Sequence, residues 1–372
     1  MNRTLLIRAG DPDWNRWMAP AAHDFYHTSE YHSFSESQGE GEAWLAVCGN
    51  PDRYLAWPYL VRPVSQMAGL EQSRYRDITS VYGYGGPATF GCRQDEPFIA
   101  EALTDIERLW RNQGCIAAFS RLHPLLKNHE LLLGHPAQTH TVHCGDTISL
   151  DLNLQGEVAV RDYNRTTRQE IRAARAKGVT TVIDHNWDAF DMFCDLYYST
   201  MLRNRASESY SFSRQYLLDL KRALGEHALL FVTSFRNEVA AVCIMVEYRG
   251  MLAAHLEGTN TALLQYSPFK VLIDDARRIG GSRGNHVLHL GGGRGGSEDS
   301  LFAFKTKFSS TRNSFWLYRN VLDAKAYAEL CEERSRTASL TGFEWQPGLF
   351  FPAYRTPLHV QKAAVQAAFG GR

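Results

Sequence analysis

The sequence predicts an α/β (α+β) protein of two domains, each with a mixed central sheet flanked by helices. Three observations carry this. Short apolar runs bounded by Gly, Asn or Pro alternate with longer segments of helical period. At 372 residues the chain is long enough for two separate cores. A polar break at Asn153–Glu157 divides it, giving expected domains at 1–152 and 158–335, with the aromatic tail 340–372 folding back on the first.

In chain order, residues 1–40 carry Trp14, Trp17, Phe25, Tyr26 and Tyr31, as expected of short helices at an edge. Ala43–Cys48 and Tyr54–Val64 read as strands around the Gly49-Asn50-Pro51 turn. Asp77–Pro87 is a strand running into a Gly-Pro loop that holds Tyr82 and Tyr84. Pro97–Gln113 puts Ile99, Leu103, Ile106, Leu109 and Trp110 on one helical side, stopped by Gly114. Cys115–Phe119 is a buried strand ending in Arg121-Leu122-His123-Pro124, and Thr139–Val142 and Thr147–Leu152 close this half.

The second half opens on a basic segment. Arg161, Arg165, Arg168, Arg172 and Arg175 are spaced 4, 3, 4 and 3, which places all five on one helical face ended by Gly178. Guanidinium groups so aligned repel one another unless an anion lies against them, and phosphate suits their bidentate geometry. The alternative is a solvated charged face. Val179–Ile183 is a strand, Trp187–Met201 a helix, and Ser213 caps a third helix running to Gly225. Ala228–Ser234, Val239–Tyr248 and Met251–Glu257 are consecutive strands. Pro268 starts a helix with Phe269, Leu272, Ile273, Ala276 and Ile279 on its buried side. Ser314–Asn320 is a strand and Asp323–Ser335 a last helix.

Composition excludes several classes. Hydrophobic content of 44% with 22% charged residues is that of a globular protein. No apolar run reaches membrane-span length and the opening MNRTLLIRAGDPDW lacks a signal-peptide core, so a cytoplasmic, monomeric protein is expected. Seven cysteines without a C-x-x-C pair exclude a disulfide framework or zinc ribbon. His140, His143 and Cys144 lie close in sequence but lack a fourth ligand, so no metal is expected. Net charge is zero, with 12 basic against 17 acidic residues in the first 150 and 28 against 23 in the rest. That argues against broad coating of nucleic acid and leaves room for a local phosphate contact on the second half.

The stretch Val287–Phe308 organises the chemistry. Val287–Leu290 reads as a buried strand, Gly291–Gly296 as a glycine turn broken by Arg294, and Ser297 as the cap of a helix opening on Glu298 and Asp299. Leu301, Phe304 and Phe308 make one apolar stripe, with Lys305 beside it. Gly291, Gly293 and Gly296 satisfy G-x-G-x-x-G, but the following helix is short and Trp316 stands where a dinucleotide site needs an acid.

The pattern L-G-G-x(n)-S-L-F-x-F-K-x-x-F, present from Leu290 to Phe308, resembles the end of the transferase domain in the Fem family. Those are aminoacyl-tRNA-dependent peptidyltransferases built on GNAT acyltransferase folds. The Y-G-Y-G-G-P loop, R-L-H-P, the basic segment before Gly178 and Thr200-Met201-Leu202-Arg203 are also similar to Fem patterns. The resemblance implies two GNAT-like domains, without the coiled-coil arm of some members because no heptad stretch occurs. It maps the family's oxyanion-stabilising lysine onto Lys305, beside Phe304, and an acceptor-facing arginine onto Arg203.

Aminoacyl-tRNA is then the expected co-substrate, with no cofactor, and a small peptide or peptidoglycan precursor the expected acceptor. Arg161, Arg165, Arg168, Arg172, Arg175 and Arg294 would meet the phosphates of the tRNA acceptor end. Tyr82, Tyr84, Arg203, His255 and Glu257 are candidate substrate contacts, and Asp77, His255 and Glu257 candidate bases. The pyrophosphate motif R/Q-x-x-G-x-G/A is missing before Pro268, which disfavours acyl-CoA; an acyl-CoA-dependent N-acyltransferase and a non-catalytic RNA-binding module are the alternatives.

Overall fold

The computed structural model describes residues 4–93, 97–133, 140–206 and 210–360. In chain order the elements are β1 (Thr4–Arg8), α1 (Pro12–Met18), α2 (Ser29–Ser37), β2 (Glu42–Asn50), β3 (Arg53–Pro63), β4 (Arg76–Thr79), β5 (Ala88–Phe90), α3 (Pro97–Asn112) and β6 (Cys115–Arg121). They continue with β7 (Thr141–Asp151), α4 (Gly156–Ala159), α5 (Arg165–Ala176), β8 (Thr180–Asp184), α6 (Phe190–Arg203), α7 (Arg214–Leu224), β9 (Ala228–Phe235), β10 (Glu238–Tyr248) and β11 (Met251–Thr259). Then come α8 (Pro268–Ser282), β12 (Val287–Gly292), α9 (Ser300–Lys305), β13 (Arg312–Val321), α10 (Ala324–Thr341) and two short paired strands, β14 (Phe343–Glu344) and β15 (His359–Val360). The two strands expected at 139–142 and 147–152 are one, β7, with Thr139 outside the described residues.

The chain divides into two compact units, residues 1–143 with 316–372, and residues 144–315. The expected boundaries at 153–157 and 335 differ from these. The polar break follows β7 rather than preceding it, and the second half of β13 pairs with β6, from Leu317↔Arg121 to Val321↔Ala117. Of the tail, residues 361–372 lie outside the described residues.

The first unit carries the strand order β1-β2-β3-β4-β6-β13, with β5 on β3. Only β4 and β6 pair in parallel, so this mixed sheet arises from consecutive hairpins and one helical crossover, α3. α3 is strongly amphipathic: Phe98, Ile99, Ala102, Leu103, Ile106 and Trp110 are buried against Trp57, Tyr59, Ile78 and Tyr318. Burying each large side chain contributes about 1.5–3 kcal/mol. Asp77, with no solvent exposure, anchors the tail: it accepts from Arg62 Nε (2.8 Å), Tyr354 Oη (3.0 Å) and Arg355.

The second unit has the order β7-β12-β11-β10-β9-β8, antiparallel except for β11 and β12. α8 is the crossover between those two and buries Val271, Leu272, Ile273 and Ala276 on the sheet. The parallel pair is short. It runs only from Met251↔Val287 to Ala253↔His289, after which β11 and β12 no longer pair. Each strand carries a bulge just past that point. Ala254 and Leu256 face consecutive residues of β10, which leaves His255 extra, and Leu290 is extra between His289 and Gly291 opposite β7. Bulges add local twist and end pairing, so together they open the sheet at the carboxyl ends of β11 and β12.

Candidate active site

The opening between β11 and β12 is the place where this unit's chemistry-bearing side chains meet. The glycine turn follows β12 and packs on β7. Gly296 has φ +84°, and a Cβ there would lie 2.5 Å from the Cys144 carbonyl oxygen, so no larger residue fits. Arg294 braces the turn through Asp299 Oδ2 (2.8 Å) and the Asn204 carbonyl (3.0 Å). Its charge is thereby committed within the protein, at some distance in role from the phosphate contact expected of it. Asp299, not Ser297, caps α9, accepting from the N–H groups of Leu301 (3.1 Å) and Phe302 (3.0 Å); Ser297 instead donates to Arg294 O. The sequence offered both cap types two residues apart, and the tighter glycine turn consumes the first.

The six residues of α9 end on Lys305, whose Nζ donates to the Gly292 carbonyl at 2.7 Å. One of the ammonium's three protons is so engaged and two remain for a ligand. Burial lowers the Lys305 pKa from its ordinary value, against the opposing charge of Glu257. Burial likewise raises the Glu257 carboxyl, against the pull of Lys305. No hydrogen bond or ion pair within 4 Å engages Glu257 among the described residues. The acid and the ammonium therefore face one opening without neutralising each other in contact. Burial brings His255 down to about 4, which makes its ring a weak base at neutral pH. Of the three carboxylate and imidazole candidates, Glu257 is the carboxylate that lies in the field of Lys305 at the opening. Asp77 is held by two arginines and a tyrosine in the first unit, a structural role.

Phe304 packs against Phe269 (6.0 Å between centroids) and Phe308 (5.5 Å), so it belongs to the wall of the core more than to a substrate surface. Arg203, the last residue of α6, reaches Thr261 Oγ1 (2.7 Å) and the Thr259 carbonyl (3.3 Å) at the open end of β11. Gly258 explains that approach. A Cβ there would lie 2.6 Å from the Leu196 carbonyl carbon and 2.7 Å from Tyr197 N, so α6 rests directly on β11 backbone.

The basic face differs from its sequence reading. α5 begins at Arg165, capped by Asn164 accepting from Thr167 N (2.7 Å), and Arg161 lies in the preceding turn, off the helix. Arg175 is paired with Asp274 and Asp275 of α8, both at 2.6 Å, and Arg172 lies 3.9 Å from Glu157. Acids one hundred residues away thus relieve part of the repulsion, which local spacing cannot reveal. Arg165 and Arg168 have no acid within 4 Å among the described residues.

Tyr82 and Tyr84 belong to the first unit. Tyr31 Oη donates to the Tyr82 carbonyl (2.9 Å), and Tyr84 packs edge-on against Tyr26 and His123. His123 Nδ1 accepts from Leu126 N (3.2 Å), which fixes the proton on Nε2, and Nε2 donates to Asp24 Oδ2 (2.9 Å). This buried Asp24–His123 pair, absent from the sequence reading, holds the Y-G-Y-G-G loop; only the R-L-H-P motif hinted at it. Among the described residues no group of three or more His, Cys, Asp or Glu side chains could hold a metal ion.

The acetyltransferase (GNAT) domain family matches residues 161–305, which include both Glu257 and Lys305. No curated protein matches the chain in sequence. Among solved structures, FemX is similar at 11% identity, over 88% of this chain and 99% of its own, with a TM-score of 0.65. A conserved protein of unknown function from Bacteroides thetaiotaomicron is 11% identical over 86% of this chain and 99% of its own, with a TM-score of 0.52. L-PGS from Bacillus licheniformis is 11% identical over 90% of this chain and 98% of its own, with a TM-score of 0.50. The fold and the matched domain define the class: this chain is a GNAT-fold transferase. Its architecture is Fem-like, with the fold of FemX running through nearly the whole chain. Among the described residues no helix is long and apolar enough to cross a membrane.

Proposed function

We propose that this protein transfers an aminoacyl group from aminoacyl-tRNA to an amine of a peptide-like acceptor. The observation that carries this reading is the opening between β11 and β12, where Lys305 and Glu257 face one another without an ion-pair contact. In it the acceptor amine attacks the ester carbonyl of the donor. The C–N bond forms as the carbonyl oxygen becomes an oxyanion, stabilised by the two free protons of Lys305. Glu257 takes the proton released by the amine. Collapse then breaks the ester C–O bond, and the ribose oxygen leaves with the proton that Glu257 took from the amine. The ester supplies the driving force, so no nucleotide hydrolysis is needed. Arg203 is the acceptor contact of this reading within the second unit, and peptidoglycan precursors or natural-product peptides its acceptor class.

The start of α8 supports an RNA rather than an acyl-CoA donor. A coenzyme A pyrophosphate needs unengaged N–H groups at that helix end. Here Pro268 lacks an N–H, Lys270 N and Val271 N donate to the Ser267 carbonyl, and the Lys270 side chain is neutralised by Glu170. The acetyltransferase family match favours the acyl-CoA reading, and a donor assay decides between them. Protein is offered a pool of amine acceptors with aminoacyl-tRNA or a panel of acyl-CoAs, with and without RNase, and product mass is read. Product that requires intact aminoacyl-tRNA is expected; product from acyl-CoA alone would overturn the donor.

A further inference from the structure

The arginines of α5 do more than line a helix. Two cavities lie along it within the second unit. One, of about 500 Å³, is walled by Arg168, Arg172 and Arg175 of α5 and by Arg277 and Arg278 of α8. The other, of about 310 Å³, is walled by Arg165, Arg168 and Arg172. Arg168 and Arg172 belong to both, so the cavities share a wall.

Their own acids settle half of the charge. Asp274 holds Arg175 (2.6 Å) and Arg277 (3.0 Å), Asp275 holds Arg175 (2.6 Å) and Arg278, and Glu157 approaches Arg172. Six guanidinium groups therefore stand against three carboxylates. A lone small anion would fill one chamber, whereas a chain of successive phosphates fills both, each met by the planar fork of an arginine. Among the described residues that line the cavities the aromatic side chain is Tyr163, which is buried and donates its hydroxyl to Asp274 (3.1 Å), so it offers no face for base stacking. Recognition is then of the backbone and indifferent to sequence.

The cavities are also set back from the transfer site. Phe269 at the start of α8 touches Phe304, the neighbour of Lys305, and Arg278 lies nine residues on, roughly 13 Å along the helix axis. We propose that the paired cavities bind two successive phosphates of the donor's single-stranded RNA end, several nucleotides behind its reactive ester. The inference rests on the RNA-donor reading and supplies it with an anchoring site that adds Arg277 and Arg278 and omits Arg161.

The test measures binding of uncharged tRNA and of a short single-stranded RNA ending in CCA by fluorescence anisotropy across a salt series. Removing two phosphate contacts should weaken binding and reduce the slope of log affinity against log salt by about 1.4. Arg168→Gln with Arg172→Gln is expected to do so, Arg168→Lys with Arg172→Lys to keep most of the slope, and Arg236→Gln, an exposed turn arginine, to change nothing. An unchanged slope in the double glutamine variant, or an equal loss in Arg236→Gln, would overturn the site, as would full displacement of RNA by free pyrophosphate at equal concentration. Aminoacyl transfer that survives in the double glutamine variant with unchanged KM also overturns the site while leaving the transfer reading intact. RNA binding that depends on Arg168 and Arg172 without transfer from any aminoacyl-RNA supports the site and overturns the transfer reading instead.

Discussion

Asp77 and Glu257 are acids set in the sheets, one in each unit, and their surroundings differ sharply: Asp77 is fully buried and Glu257 half-buried. Asp77 meets Arg62, Arg355 and the Tyr354 hydroxyl, so its charge is fully engaged and its site is closed. Glu257 feels the charge of Lys305 without a hydrogen bond or ion pair among the described residues, and both groups shift toward their neutral forms. An acid and an ammonium, both half-buried and without a contact between them where the sheet opens, are available to a ligand. Asp77 secures the tail; Glu257 and Lys305 wait for a reactant.

The comparison breaks if the two acids respond alike to mutation. Glu257→Gln should lower turnover by about a hundred- to ten-thousandfold, the range of general base catalysis, with little change in thermal stability. Lys305→Ala should cost about a hundredfold or more, on the scale of oxyanion donors. Asp77→Asn should do the reverse: it leaves two buried arginines underpaired and should destabilise by about 3–5 kcal/mol in chemical denaturation, while folded enzyme keeps its turnover. Gly258→Ala sharpens the contrast on the steric side. Its Cβ meets backbone of α6, which cannot rotate away, so a loss of about 1–3 kcal/mol is expected, together with a raised KM as Arg203 shifts.

pH separates the regions more gently. Glu257 must be ionised and Lys305 charged, with pKa values moved toward each other, so the pH–rate profile should be a bell narrower than ordinary carboxylate and ammonium values would give. Glu257→Gln should abolish its acidic limb. In the first unit, burial brings His32 down to about 4. Its unfolded form binds a proton near pH 6.5 and its folded form does not, so stability should be full above that pH and fall as pH drops from about 6.5 to 4. His32→Phe, measured by urea unfolding at pH 5 and pH 7, should flatten that dependence.

Much of the architecture was legible because it depends on local pattern. The 3.6-residue stripe of α3, the Pro268 start of α8 and the run of strands β9, β10 and β11 all follow from neighbours in sequence. Lys305 stood out through its motif, and its role is part of the proposed function. What could not be read depends on pairing across the fold. The bulges at His255 and Leu290 carry no compositional mark, since an extra residue exists only relative to a partner strand. Asp274 and Asp275 sit between the apolar residues of α8, and nothing local says that they face Arg175 a hundred residues earlier. For the same reason the Arg277–Arg278 half of the cavity wall went unseen, and Arg161 was counted onto a helix that Asn164 caps after it.

The most direct test of the central claim is a single-turnover rate measurement at saturating aminoacyl-tRNA and acceptor for wild type, Lys305→Ala and Glu257→Gln. The opening between β11 and β12 as the reaction centre predicts that both variants bind donor as wild type does but form product at least a hundredfold more slowly. Wild-type single-turnover rates in both variants would contradict it and place the chemistry elsewhere.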